Sequence, residues 1–134
     1  MSQLSLLIVD DEALARRLSR EYLSKYSNIL IVGECDNGLD AIEAINTLNP
    51  DLILLDILMP KLTGLEVLAL TGRTHGVIFT TAYDQYALKA FDLHAVDYLL
   101  KPFSQQRFDE AMVRARKLLD KDLLRKDLLN KELQ

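Results

Sequence analysis

Short apolar runs alternate along this chain with longer stretches in which apolar residues return every three or four positions. Leu4 to Val9 is the first run and Ala13 to Lys25 the stretch behind it, a pair that predicts a strand followed by a helix. Leu30 to Cys35 predicts the second strand. Leu39, Ile42, Ile45 and Leu48 then share one helical face until Asn49-Pro50 ends the helix. Leu52 to Asp56 is almost continuously apolar, as a strand covered on both faces would be, and Pro60 and Gly64 mark a longer loop before a short helix from Leu65 to Leu70. Val77 to Thr81 with Tyr86 to Leu93 form a fourth unit, and Asp97 to Leu100 with a helix starting near Ser104 a fifth. Strict alternation implies parallel strands joined by right-handed crossovers, so the expected fold class is α/β, a doubly wound five-stranded parallel sheet. Ligands of such sheets sit outside the carboxyl ends of the strands, at a topological switch point.

Composition narrows the class. The 134 residues, 49% hydrophobic and 27% charged, suit one domain with a sizeable core. The longest apolar runs fall far short of the roughly 20 residues a membrane-spanning helix needs, and the first residues lack the basic and apolar regions of a secretory signal. No membrane association is expected, and the expected location is the cytoplasm. Cys35 is the only cysteine, which excludes an intrachain disulfide, and its apolar neighbours mark it as a core residue. A net charge of −4 offers no general attraction to nucleic acid, so direct DNA binding by this piece is not expected.

Polar chemistry gathers at the predicted strand ends. The first strand runs into Asp10-Asp11-Glu12, the third into Asp56, the fourth into Thr80-Thr81-Ala82 and the fifth into Lys101-Pro102. Carboxylates at neighbouring strand ends repel one another and raise their own pKa values unless a cation neutralises them. Hard oxygen donors without a His or Cys cluster favour Mg²⁺, which takes one or two carboxylates and leaves room for a phosphate oxygen. A lysine and a threonine aimed at the same point supply the charge and the hydroxyl donor that a phosphoryl group requires. Asp56 is then the candidate nucleophile, since carboxylates form aspartyl phosphates.

The order Asp10-Asp11, Asp56 followed by Met59-Pro60 and Gly64, Thr81-Ala82, and Lys101-Pro102-Phe103 resembles the receiver domain of bacterial response regulators, a flavodoxin-like, CheY-like (βα)5 fold, over nearly all of residues 4 to 118. The resemblance implies that Asp56 accepts a phosphoryl group from a sensor histidine kinase in two-component signal transduction. It implies that Asp11 binds Mg²⁺ directly, that Asp10 helps through a metal-bound water, that Asp56 is itself a ligand, and that the backbone carbonyl of Leu58 completes the protein's share. Thr81 and Lys101 would contact the phosphoryl oxygens. Thr81 is preferred to Thr80 because Ala82 follows it, and Thr80 is expected to point into the core. Tyr98 is a switch candidate that moves with Thr81, and Asp56 is the expected partner of Lys101. Such a domain is a switch that assists its own Mg²⁺-dependent phosphorylation and dephosphorylation, and is not classed as an enzyme.

The stretches Phe79 to Phe91 and Ala95 to Phe103 are similar to receivers of LytTR-type transcription regulators, which carry a DNA-binding domain after the receiver. The chain reaches only Gln134, too early to contain one. Residues 1–118 are therefore expected to be the receiver, and 119–134 a helical extension or linker toward an absent effector domain. A phosphorylation-linked homodimer is the expected assembly. Leu118-Leu119, Leu123-Leu124, Leu128-Leu129 and Leu133 recur in steps of five, which rotates around a helix and produces no clean heptad. Three other readings weigh less. A flavin or nucleotide binder would offer backbone amides and Gly, Ser or Thr where Asp10-Asp11-Glu12 stand. An aspartyl-phosphate phosphatase would carry a second acid where Leu58 stands. A receiver that signals by contact without phosphate would not need the complete pocket.

Overall fold

The computed structural model describes residues 3–133, so Met1, Ser2 and Gln134 lie outside the described residues. Five strands, β1 (Leu4–Val9), β2 (Ile29–Cys35), β3 (Leu52–Asp56), β4 (Val77–Thr81) and β5 (Asp97–Leu100), form one parallel sheet in the order β2-β1-β3-β4-β5. Between them run α1 (Ala13–Leu23), α2 (Gly38–Leu48), α3 (Gly64–Thr71), α4 (Ala87–Asp92, entered through a 3-10 turn over Asp84–Tyr86) and α5 (Gln105–Leu133). This is the doubly wound sheet that the alternation predicts, in the flavodoxin-like strand order that the resemblance implies.

Parallel strands alternate side chains between two covered faces. Leu7, Val9, Ile53, Leu55, Val77 and Phe79 pack against α2, α3 and α4 through Ala41, Ile45, Val67, Leu68 and Ala90. Leu6, Ile8, Leu52, Leu54, Ile78 and Leu99 pack against α1 and α5 through Leu23, Phe108, Ala111, Met112 and Ala115. Cys35 is buried in the first of these cores, as its neighbours indicate, and burial pushes its thiol up to about 11.

Local chemistry sets the helix ends. The Asn37 side chain accepts from the Asp40 amide at the start of α2, and Asn49 in the left-handed region ends it before Pro50. Thr63 and Glu66 form a reciprocal capping box at the start of α3, and Gly72 at φ +69° ends it. α5 continues unbroken across residue 118, and the surroundings change there instead. Among the described residues its last buried one is Ala115, and Leu123, Leu124, Leu128 and Leu129 are exposed. Among the described residues no helix is long and apolar enough to cross a membrane.

Candidate functional site

The strand order reverses between β1 and β3, because β2 lies on one side of β1 and all later strands on the other. The loops leaving β1 and β3 therefore diverge and open a crevice at their carboxyl ends. Asp10 and Asp11 follow β1 and Asp56 ends β3, so the switch point carries three carboxylates. Each offers an oxygen within 4.8 Å of the others. Asp10 and Asp56 are buried.

Close packing below the crevice holds these groups. The Asp10 amide pairs with the Cys35 carbonyl at 3.0 Å, extending the β1–β2 ladder by one residue, and Asp10 Oδ1 accepts from the Glu12 amide at 2.9 Å. Glu12 occupies the N-cap of α1 and makes no side-chain capping bond. The Gly64 amide donates to the Ile57 carbonyl at 2.8 Å, and a side-chain carbon at Gly64 would stand 2.4 Å from the Asp56 carbonyl oxygen. Only glycine lets α3 begin so close to the strand that carries Asp56.

Lys101 leaves β5 just before a cis peptide to Pro102, and its Nζ lies 2.7 Å from Asp10 Oδ2, 3.6 Å from Asp56 Oδ2 and 3.6 Å from Glu12 Oε1. Its shortest contact is thus with Asp10, although Asp56 is the partner expected from the sequence. Burial alone would lower the Lys101 pKa, but the hydrogen bond to Asp10 and the charges of Asp56 and Asp10 outweigh it and raise it. Burial, followed by the charge of Asp10, pushes the Asp56 carboxyl up to about 8, with Lys101 pulling the other way. One ammonium does not neutralise three carboxylates. The residual repulsion, the hard oxygen donors and their mutual spacing fit a small divalent cation such as Mg²⁺.

The two threonines separate across the strand. Thr80 is the register partner of Asp56 and follows Ile78 on the face toward α1 and α5. It is buried, and it lines with Asp10, Lys101 and Ala82 a depression of about 480 Å³, where the sequence suggested a core position alone. Thr81 lies on the other face, fully buried, its Oγ1 accepting from the Tyr83 amide at 3.3 Å. Tyr98 donates its hydroxyl to the Tyr83 carbonyl, so both switch candidates hold Tyr83 of the β4–α4 loop, Thr81 at its amide and Tyr98 at its carbonyl. Leu58 lies two residues beyond Asp56 with its side chain exposed.

A crevice of acidic groups with a lysine, at the switch point of this sheet, is the arrangement that the resemblance to a receiver implies. The chain belongs to the response regulator receiver family, whose model, described as response regulator receiver domain, matches residues 6–113. It is 46% identical over 116 residues to the transcriptional regulatory protein BtsR of Escherichia coli, covering 85% of this chain and 48% of that protein. An uncharacterized response regulatory protein of Yersinia pestis is 46% identical over 122 residues, covering 89% of this chain and 51% of that one. The chain spans about half the length of these curated relatives. Among solved structures, the response regulatory domain of mrkE from Klebsiella pneumoniae superposes with a TM-score of 0.80 at 30% identity, covering 88% of this chain and 99% of that one. The REC domain of AraT, a response regulator from Geobacillus stearothermophilus, gives 0.79 at 31% identity, covering 90% and 98%.

Two groups at the site carry little signal in the sequence. Thr80 reaches it through strand register, which its alternation with Ile78 and the alternation of Asp56 with Leu54 would have indicated. Arg16 reaches it from α1 and donates from Nη1 to the Asp10 carbonyl at 2.8 Å. It looks like an ordinary surface arginine in the helical pattern.

Proposed function

We propose that this chain is a phosphorylation-driven switch in which an Asp56 oxygen attacks the phosphorus of a phosphohistidine on a sensor kinase. The P–N bond breaks, the imidazole leaves and takes up a proton, and an aspartyl phosphate remains. The observation that carries this reading is the gathering of Asp10, Asp11 and Asp56 within 4.8 Å around Lys101 at the switch point. Asp11, Asp56 and the Leu58 carbonyl would hold Mg²⁺ directly, and Asp10 through a water. The bound ion supplies charge neutralisation between the carboxylates and the incoming phosphoryl oxygens. Lys101, already among the carboxylates, donates to a phosphoryl oxygen.

The added charge gives the Thr81 hydroxyl proton a charged acceptor, whereas in its long contact with the Tyr83 amide the hydroxyl oxygen only accepts. Movement of Thr81 is coupled to Tyr98 through the backbone of Tyr83, whose amide the one holds and whose carbonyl the other. The surface altered is that of α4, β5 and α5, where Leu88 and Phe91 are exposed, and a homodimer is the form it favours. Beside the site, Leu14, Leu18, Pro102 and Phe103 line the apolar part of the depression and suit the donor domain of the kinase. Leu58 and Tyr83, both exposed at the rim, set the access of water to the aspartyl phosphate. The output is transcriptional, through a LytTR-type DNA-binding domain beyond α5, in a cytoplasmic protein.

The test is intact mass after incubation with Mg²⁺ and a small acyl phosphate, for wild type and Asp56→Ala. A Mg²⁺-dependent gain of one phosphoryl mass in wild type alone supports the reading. No gain in a folded wild-type protein overturns it in favour of a module that signals by contact without phosphate.

A further inference from the structure

Where β1 ends, the backbone of Asp10 leaves the ladder and its carbonyl needs a new donor. Arg16 supplies it at 2.8 Å from one turn into α1. The guanidinium is braced from the side, its Nε lying 3.6 Å from Glu34 Oε1 on β2, and the side chain is only 20% exposed. Glu34 is itself held by Arg20 at 2.5 Å. Asp10 is thereby bonded at its amide to Cys35, at its carbonyl to Arg16 and at its carboxylate to the Glu12 amide. The peptide joining Asp10 to Asp11 is planar, so fixing its carbonyl fixes the plane from which both side chains depart.

We propose that Arg16 is a positioning residue of the acidic site, acting through the Asp10 carbonyl to aim the Asp10 and Asp11 carboxylates for a divalent cation. The proposal rests on the reading of this crevice as a metal site. A small hard cation that demands near-octahedral geometry is sensitive to displacement of its carboxylates by a fraction of an ångström. A charge-assisted hydrogen bond is about twice as strong as a neutral one and suits the task. The role as a guide and a role as mere nearby charge predict opposite signs. Arg16 is a cation beside a cation site, and by charge alone its removal would tighten metal binding.

The experiment is Mg²⁺ titration by calorimetry of the full chain, with thermal melting of the metal-free protein alongside. Arg16→Gln is expected to weaken Mg²⁺ binding about tenfold, the scale of groups that orient metal ligands. Arg16→Lys, which keeps the charge and can restore part of the hydrogen bond, is expected to fall between the two. Unchanged or tighter binding by folded Arg16→Gln overturns the proposal. If that variant does not melt cooperatively, Arg16→Lys decides, weaker binding than wild type supporting the proposal and equal binding overturning it. A wild type that binds no Mg²⁺ overturns the proposal together with the metal-site reading, and that outcome is told apart by the wild-type titration alone.

Discussion

Replacing Asp56 by asparagine removes one charge from the carboxylate cluster while keeping the side chain's shape, and the structure sets the sign and scale of the effect. A pair of like charges at most 4.8 Å apart is worth at least about 3–4 kcal/mol at an effective dielectric constant of about 20. Asp56 faces two such partners, and Lys101 at 3.6 Å offsets part of the sum. In the metal-free protein the carboxyl escapes the repulsion by holding its proton up to about pH 8. A carboxyl whose folded pKa lies above its unfolded value binds more protons when folded. Wild-type stability therefore falls as pH rises from the ordinary carboxylate range toward about 8, and the effect levels off above that. Asparagine lacks this slope. The advantage of Asp56→Asn should grow by at most about 1.4 kcal/mol per pH unit across that window. Solvent and counter-ions at the open end of the crevice reduce the total to about 2–3 kcal/mol. Urea unfolding in EDTA from about pH 5 to about pH 9 measures it. An advantage that does not change with pH, or a variant less stable than wild type at the alkaline end, would refute the reasoning. Added Mg²⁺ should then narrow the gap, because it binds only the folded wild-type cluster tightly.

Two further outcomes follow, one from the amino end of β5 and one from the start of α3 beside the site. Asp97 is buried and accepts from Arg107 at 2.9 and 2.7 Å, from Arg114 at 2.8 Å and from the Tyr98 amide at 2.8 Å. Asp97→Asn should cost about 2–3 kcal/mol in urea unfolding, below the full value of a buried pair because both arginines reach solvent. Burial would raise the Asp97 pKa, but these bonds outweigh it and lower it, so its contribution is present above the ordinary carboxylate range. That contribution is lost as pH falls through the depressed folded value, and the asparagine variant should lack this part of the acid transition. Gly64→Ala should cost about 1–3 kcal/mol and reduce phosphoryl uptake at Asp56, because the new methyl would sit 2.4 Å from the Asp56 carbonyl oxygen. Wild-type melting and uptake in that variant would show that α3 can retreat without moving the strand.

Much of this protein is legible locally. The alternation of apolar runs with helical stretches, and punctuation such as Asn49-Pro50 and Gly64, depend on residues close together in the chain, so the elements and their order can be read directly. Asp10, Asp11, Asp56 and Lys101 stand out for a related reason: charged groups at the ends of apolar strands have no structural justification unless something uses them. The α5 helix shows the limit of local reading, since the helical pattern runs on through residue 118 and only the structure shows that burial falls off along it after Ala115.

What the tertiary structure alone decides depends on which strand lies beside which and on the sense of each face. The placement of β1 between β2 and β3 makes the switch point and brings Asp10 nearer to Lys101 than Asp56 is. The pairing of Asp56 with Thr80 puts that threonine on the site's side of the sheet and turns Thr81 toward Tyr98 and the Tyr83 peptide. Arg16 and Glu34 meet because α1 packs across the β1–β2 edge, a contact with no periodic trace in the chain. Periodicity follows from backbone geometry within one element, whereas partner choice follows from how all the elements exclude water together, and that is determined only when the whole core is assembled.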